Sequence, residues 1–139
     1  MASADIAWAI VRNNSAFLLK KRNVNQAFST EAGNLRNINS KRYNGLVNPK
    51  TVSIEVGPNN KGFTLVTKKA KKVNKPSQSL ARTNMKAGPR RSLHKMKNVL
   101  VKNRYRKDLT KAALIRASAI CGSQKPLPKM KGAKTAKKE

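Results

Sequence analysis

The sequence predicts an α+β protein: an N-terminal helix with a small antiparallel sheet, followed by two C-terminal helices and a basic disordered tail. Three observations carry this reading. Residues 51–56 alternate, with Val52, Ile54 and Val56 on one face and Thr51, Ser53 and Glu55 on the other, the period of a half-buried strand. Beyond residue 88 the apolar positions recur at helical spacing instead. The aromatics are uneven: Trp8, Phe17, Phe28, Tyr43 and Phe63 precede residue 68, and only Tyr105 follows it. Large aromatic side chains supply much of the burial that offsets chain entropy, so a packed unit is expected first and a less self-sufficient region after it.

Taken in order, Ser3 is the expected N-cap of a short helix that places Ile6, Ala9 and Ile10 on one face. Asn13-Asn14 suits its end, because Asn tolerates left-handed backbone. Phe17–Lys21 and Gln26–Thr30 read as short strands, with Asn23 and Asn25 near their turn. Residues 31–50 are rich in Asn and are expected to form an ordered loop. The alternating strand at 51–56 meets the turn Gly57-Pro58-Asn59-Asn60, and a strand from Phe63 to Thr67 follows. Residues 68–79 show no core pattern and read as basic linker. Gly88-Pro89 then opens a helix with proline in its first turn and Leu93, Met96, Val99 and Leu100 as its stripe, opposite Arg90, Arg91, Lys95 and Lys102. After a break at 103–107, Asp108 is the expected N-cap or first-turn acid of a second helix lined by Leu109, Ala112, Ala113, Ala117 and Ile120. The predicted organisation is an α+β domain at 1–67, a basic linker at 68–87, a two-helix segment at 88–124 and a lysine-rich tail at 125–139. No internal repeat is visible.

Charge restricts the function classes. The 139 residues hold 32 Lys+Arg against 5 Asp+Glu, a formal charge of +27. Of that excess, +21 lies after Thr67, and the last 15 residues alone contain 6 lysines. A protein so charged repels itself and is expected to work against a large polyanion. The apolar run Ile6–Val11 falls far short of the ~20 residues of a membrane span, and Asp5 stands where a signal peptide would be basic. With one cysteine, Cys121, no internal disulfide or multi-cysteine zinc site is expected, and the setting reads as intracellular.

Catalysis, cofactors and metals are not expected. Asp5, Glu31, Glu55, Asp108 and Glu139 share no acid–base motif, and no glycine-rich phosphate loop with its lysine is present. The single histidine, His94, reads as a surface or phosphate-facing residue of the basic helix, and Cys121 as a packed one.

The candidate nucleic-acid contacts are therefore cations and their neighbours. Lys41-Arg42-Tyr43-Asn44-Gly45 resembles a reader of folded RNA: amides bond bases and 2′-hydroxyls, Arg42 bridges phosphates, and Tyr43 stacks on an exposed base. The structural alternatives, packing of Tyr43 over the sheet edge and a tight turn at Asn44-Gly45, are favoured for Tyr43 and more so for Gly45. Lys50 follows this loop. Lys68, Lys69, Lys71, Lys72 and Lys75 in the linker and Lys125 at the head of the tail are flexible cations able to follow an irregular groove and to become ordered there. Arg90, Arg91, Arg104 and Arg106 belong to the helical segment. Arg116 falls within the alanine-lined stripe, where it either snorkels or marks a helix face docked on RNA.

Several segments together resemble one family. They are Ile6-Ala7-Trp8-Ala9-Ile10-Val11-Arg12-Asn13, Phe28-Ser29-Thr30-Glu31, Asn39 through Leu46, Lys50-Thr51-Val52, Tyr105-Arg106-Lys107-Asp108-Leu109, and Ala117 through Pro126. In this order, over residues 3–126, they resemble the eukaryotic large-subunit ribosomal protein twenty-eight family. Lys107 departs from it, standing where the family often has proline. The resemblance implies a 60S ribosomal constituent that binds large-subunit rRNA, contacts neighbouring ribosomal proteins and has no catalytic role. It implies residence in the cytoplasmic ribosome after passage through the nucleolus, with no small-molecule substrate, membrane or homo-oligomer. Nucleolar ribosome-assembly factors share a related N-terminal domain, but are longer, richer in cysteine and acidic at the C-terminus. A chromatin-binding basic protein is disfavoured by the many asparagines and the β-rich first half. Binding to anionic membranes is disfavoured because the helices lack large interfacial aromatics.

Overall fold

A computed structural model describes residues 3–72 and 74–126. The predicted lysine-rich tail, apart from Lys125 and Pro126, lies outside the described residues. Helix α1 spans Ala4–Val11, and the Ser3 hydroxyl accepts from the Ile6 amide, as its N-cap position predicts. Its half-buried side is Ala4, Ala7, Trp8 and Val11, while Ile6 and Ile10 are 57% and 69% exposed. The expected apolar face is thus the outward one. The helix is apolar nearly all round, and the longer i, i+3, i+4, i+7 series faces inward. Asn13 and Asn14 are not left-handed either. That conformation falls on Asn23, Asn37, Asn59 and Asn60, which punctuate the following loops.

Strands β1 (Leu18–Leu19) and β2 (Phe28–Ser29) form a two-stranded antiparallel ribbon, shorter than the expected pair, with Asn23 in the connection. Strands β3 (Val52–Val56), β4 (Phe63–Lys68) and β5 (Leu80–Met85) form a separate antiparallel sheet in the order β3-β4-β5. Val56 pairs with Phe63 across the Gly57–Asn60 turn, and Phe63 pairs in turn with Met85. Gly62 is left-handed, with φ of 67°, and a Cβ there would lie 2.1 Å from the Met85 carbonyl oxygen. Only glycine suits that position.

Strand β5 corrects the reading of residues 68–87 as linker. The intervening chain is folded too, into a single turn at Ala70–Lys72 and the short helix α2 (Pro76–Ser79). The Lys69 amide donates to the Ser79 carbonyl at 2.7 Å, closing this connection at its base. Strand β5 leaves no hydrophobic period in the sequence because it sits at the sheet edge, buries only Met85 and is held by main-chain bonds to β4.

Helices α3 (Pro89–Lys102) and α4 (Thr110–Ser123) follow. Pro89 is the first residue of α3, and Met96 and Leu100 are fully buried beside half-buried Leu93 and Val99, as predicted. Helix α4 buries Ala113, Ala117 and Cys121. Asp108 lies in a single turn, Lys107–Leu109, leading into α4; Lys107 is its first residue, a position that also accepts proline. The two helices pack together, and α4 crosses β3 and β4. One hydrophobic core results, joining Val52, Ile54, Phe63 and Leu65 of the sheet to Met96, Leu100, Leu109, Ala113 and Ala117 of the helical segment.

Candidate nucleic-acid interface

The loop at 31–50 is built around a buried carboxylate. Glu31 accepts from Asn34 Nδ2 at 3.0 Å on one oxygen and from Asn44 Nδ2 at 2.8 Å on the other. The Asn44 oxygen in turn accepts from the Leu46 and Val47 amides at 3.0 and 2.7 Å. Asn44 is buried, with both ends of its amide engaged, so it shapes the loop and does not face outward. A Cβ on Gly45 would lie 2.0 Å from the Ala32 carbonyl oxygen, so its structural role stems from close backbone approach. Asn39 Nδ2 donates to the Arg12 carbonyl at 2.8 Å and ties the loop to the end of α1.

This scaffold holds Lys41 and Arg42 exposed and Tyr43 half-buried. The Tyr43 ring packs against the core, while the Arg36 guanidinium stands 5.7 Å from its centroid. Lys41 forms an ion pair with Asp5 of α1. Lys50 is exposed, with its ammonium 5.9 Å from the Tyr105 ring centroid.

Two of the predicted cations are braces. Arg106 is left-handed at φ 45° and donates to the Lys50 and Arg42 carbonyls at 3.0 and 2.7 Å. It also grips Asp108 through two bonds of 3.0 and 2.9 Å. Burial alone would push the Asp108 carboxyl up, but these hydrogen bonds and the Arg106 charge hold it below its ordinary value. Arg116 donates through Nη1 to the Asn34 and Leu35 carbonyls at 3.0 and 3.1 Å, fastening α4 to the 31–50 loop. It therefore lies across the chain's own backbone, between the two alternatives the helical spacing left open.

The remaining candidates stand outward. Lys69, Lys71, Lys72 and Lys75 are exposed around the β4–β5 connection, with Lys68 half-buried at its base. Arg90 and Arg91 are exposed in the first turn of α3, Arg104 is exposed and left-handed after its end, and Lys125 is exposed beyond α4. Three ion pairs form among the described residues: Lys41–Asp5, Arg82–Glu55 and Arg106–Asp108.

The cations gather around concave surfaces that the sequence reading did not locate. A groove of about 690 Å³ runs between α4 and the 31–50 loop, bounded by Arg36, Arg42, Lys111 and Arg116. A second, of about 610 Å³, adjoins it and contains Trp8, Arg12 and Lys41. A third, on the outer side of α3, holds Arg91, His94, Lys95 and Lys102. Arg36 and Lys111 were absent from the predicted set. The signal for Lys111 was available: Asp108, Lys111, Ala112, Ile115 and Ala119 repeat at helical spacing as a second stripe beside the buried one. Among the described residues no helix is long and apolar enough to cross a membrane, and no group of His, Cys, Asp and Glu is placed to hold a metal.

The pattern of the Ribosomal L28e protein family matches residues 6–123. The chain belongs to that family. Similar proteins include the large ribosomal subunit protein eL28 of Caenorhabditis elegans, 35% identical over 119 residues that cover 86% of this chain and 88% of the relative. The protein of the same name from Schizosaccharomyces pombe is 32% identical over 127 residues, covering 89% and 94%. That of Dictyostelium discoideum is 33% identical over 118 residues, covering 85% and 86%. The family match includes the 31–50 loop, the sheet and both long helices, so the scaffold that carries the outward cations, Lys125 excepted, falls inside it.

Proposed function

We propose that this chain is a structural constituent of the large subunit of the cytosolic eukaryotic ribosome, where it holds folded rRNA by neutralising phosphates and has no catalytic step of its own. The observation that carries this is the unmatched charge: 32 Lys+Arg face 5 acids, and the three ion pairs among the described residues leave most cations directed at solvent. The names of the relatives support the setting. Phosphate contacts position a protein on nucleic acid without reading sequence. The outward set for that task is Lys41, Arg42, Lys50, Lys69, Lys71, Lys72, Lys75, Arg90, Arg91, Arg104 and Lys125. Lys68, Arg106 and Arg116 lie partly buried beneath it, and Tyr43 offers an aromatic edge. In this reading the chain passes through the nucleolus during assembly and rests against neighbouring ribosomal proteins, to which exposed Ile6 and Ile10 offer an apolar patch.

Two measurements test it. Affinity for large-subunit rRNA fragments should fall roughly 10³–10⁵-fold between 50 and 200 mM salt, the response to six to ten phosphate contacts. On a sucrose gradient of cell lysate the protein should follow mature large subunits, whole ribosomes and polysomes. Migration confined to nucleolar precursors would instead identify an assembly factor, and equal affinity for duplex DNA would leave only a generic polycation.

A further inference from the structure

The two grooves that meet at Tyr43 share a ridge, because Arg36, Ile38 and Tyr43 line both. Their floors differ. The groove against α4 is paved by Phe28, Leu35, Ala112, Ile115 and Ala119, whereas the one against α1 is lined mainly by polar side chains and Trp8. Ile115 is 63% exposed within the first groove. We propose that the α4 groove receives one unpaired base of a bound RNA strand, and that the strand's adjoining phosphates cross the Arg36 ridge toward Arg12 and Lys41. This rests on the reading of the chain as an RNA-binding ribosomal protein and names the form of RNA that this surface takes.

Charge complementarity selects the occupant. An apolar floor inside a ring of Arg36, Arg42, Lys111 and Arg116 suits a ligand that joins a flat apolar face to a nearby anion. An unpaired nucleotide has that character. A duplex hides its base faces in the stack and offers mainly phosphates and groove edges. The one acid on the rim, Asp108, is held by Arg106, so it adds little repulsion. Arg116 is fixed in place by the Asn34 and Leu35 carbonyls through Nη1, so a positive charge is positioned before any ligand arrives. The Arg36 guanidinium and the Tyr43 ring supply the planar surfaces on which bases stack regardless of sequence. A volume of about 690 Å³ lies within the range of small-ligand pockets.

The test uses the full chain and three RNA probes of equal charge: a single strand of about eight nucleotides, the same strand with abasic sites, and a duplex. Binding is measured near 150 mM salt, with the Ile115, Ala112 and Ala119 methyl groups followed by NMR. The single strand should bind at least about five-fold tighter than its abasic counterpart and shift those methyls. Ala119→Leu, which fills the floor, and Ile115→Ser, which removes its apolar cover, should each abolish that advantage. Neither should alter affinity for the abasic strand, because both leave the charge unchanged. Equal affinity for the two strands with unmoved methyls would overturn the groove assignment while leaving RNA binding intact. Failure of every RNA to bind would overturn the underlying reading instead. Matching methyl shifts from the duplex, or from an acidic peptide but not the single strand, would also sink the proposal, the latter in favour of a protein partner.

Discussion

The Tyr105 hydroxyl donates to the Lys68 carbonyl at 2.6 Å, joining the entry of the inter-helix turn to the last residue of β4. The Thr51 carbonyl, opposite on the β3 side, lies 3.1 Å from the same hydroxyl. One phenol therefore pins the open end of the β3–β4 pair beneath the helices, at the point where the basic β4–β5 connection departs. Tyr105 links the stability of the fold to the placement of Lys69, Lys71, Lys72 and Lys75.

Replacing Tyr105 with Phe keeps the ring and removes the bond, so a loss of about 1–2 kcal/mol is expected in urea unfolding. Burial pushes the Tyr105 hydroxyl above its ordinary value of 10.0, more than the Arg106 charge pulls it down. A group raised in the folded state contributes fully below its unfolded pKa and loses that contribution as pH rises through the folded value. The stability gap between wild type and Tyr105→Phe should thus stay level up to about pH 10 and narrow above it. Groups common to both proteins cancel in the difference. A gap that widens with alkaline pH would contradict this assignment.

Asp108 behaves oppositely. Burial opposes its ionisation, but Arg106 outweighs that and holds it below 3.8. Its contribution is present above the unfolded pKa and lost as pH falls through the lower folded value. Thermal melts of wild type and Asp108→Asn should therefore differ near neutrality and converge in acid. Because Asp108 is partly exposed, solvent screening keeps the gap small. Arg106→Lys should cost more than Asp108→Asn, since a lysine cannot span the Lys50 and Arg42 carbonyls and the carboxylate together.

The loop at 31–50 predicts a stability effect at positions that look like binding residues. Glu31→Gln keeps an acceptor for one of the Asn34 and Asn44 donors but sets an amide donor against the other, and should cost about 2–3 kcal/mol in urea unfolding. Asn44→Ala should lower stability as well, by freeing one Glu31 oxygen and the Leu46 and Val47 amides. Gly45→Ala should be worse than either, because its methyl meets the Ala32 carbonyl. Any loss of RNA affinity in these variants should follow the fraction unfolded and recover on cooling.

These cases show what the sequence carried and what it could not. Val52, Ile54 and the Met96 and Leu100 stripe were readable because burial imposes a period on neighbouring residues. Arg106, Arg116 and Asn44 stand among the candidate RNA contacts because composition records how many cations and amides exist, not which partners they reach. Arg116 lies 81 and 82 residues from the carbonyls it holds, a pairing that helical spacing cannot encode. Strand β5 was hidden for a related reason, since its main-chain bonds to β4 ask little of its side chains. The positive grooves are products of tertiary structure too, formed where α4 passes the 31–50 loop.

The same distinction separates binding from folding in a final set of substitutions. Lys69, Lys71, Lys72 and Lys75 are exposed; the side-chain bond found in this group is the 3.0 Å contact of Lys72 Nζ with Gln78. Changing all four to Gln should leave the melting temperature nearly unchanged, since surface substitutions of this kind usually lie within about 0.5 kcal/mol of neutral. RNA binding should respond otherwise. Each phosphate left without its lysine should make the slope of log K against log salt shallower by about 0.7–0.9, so removing all four lysines would flatten it by about 3. Arg106→Lys and Arg116→Lys should give the reverse pattern, a lower melting temperature with a nearly unchanged salt slope in the fraction that remains folded. An unchanged salt slope in the four-lysine variant would remove the β4–β5 connection from the RNA-binding surface.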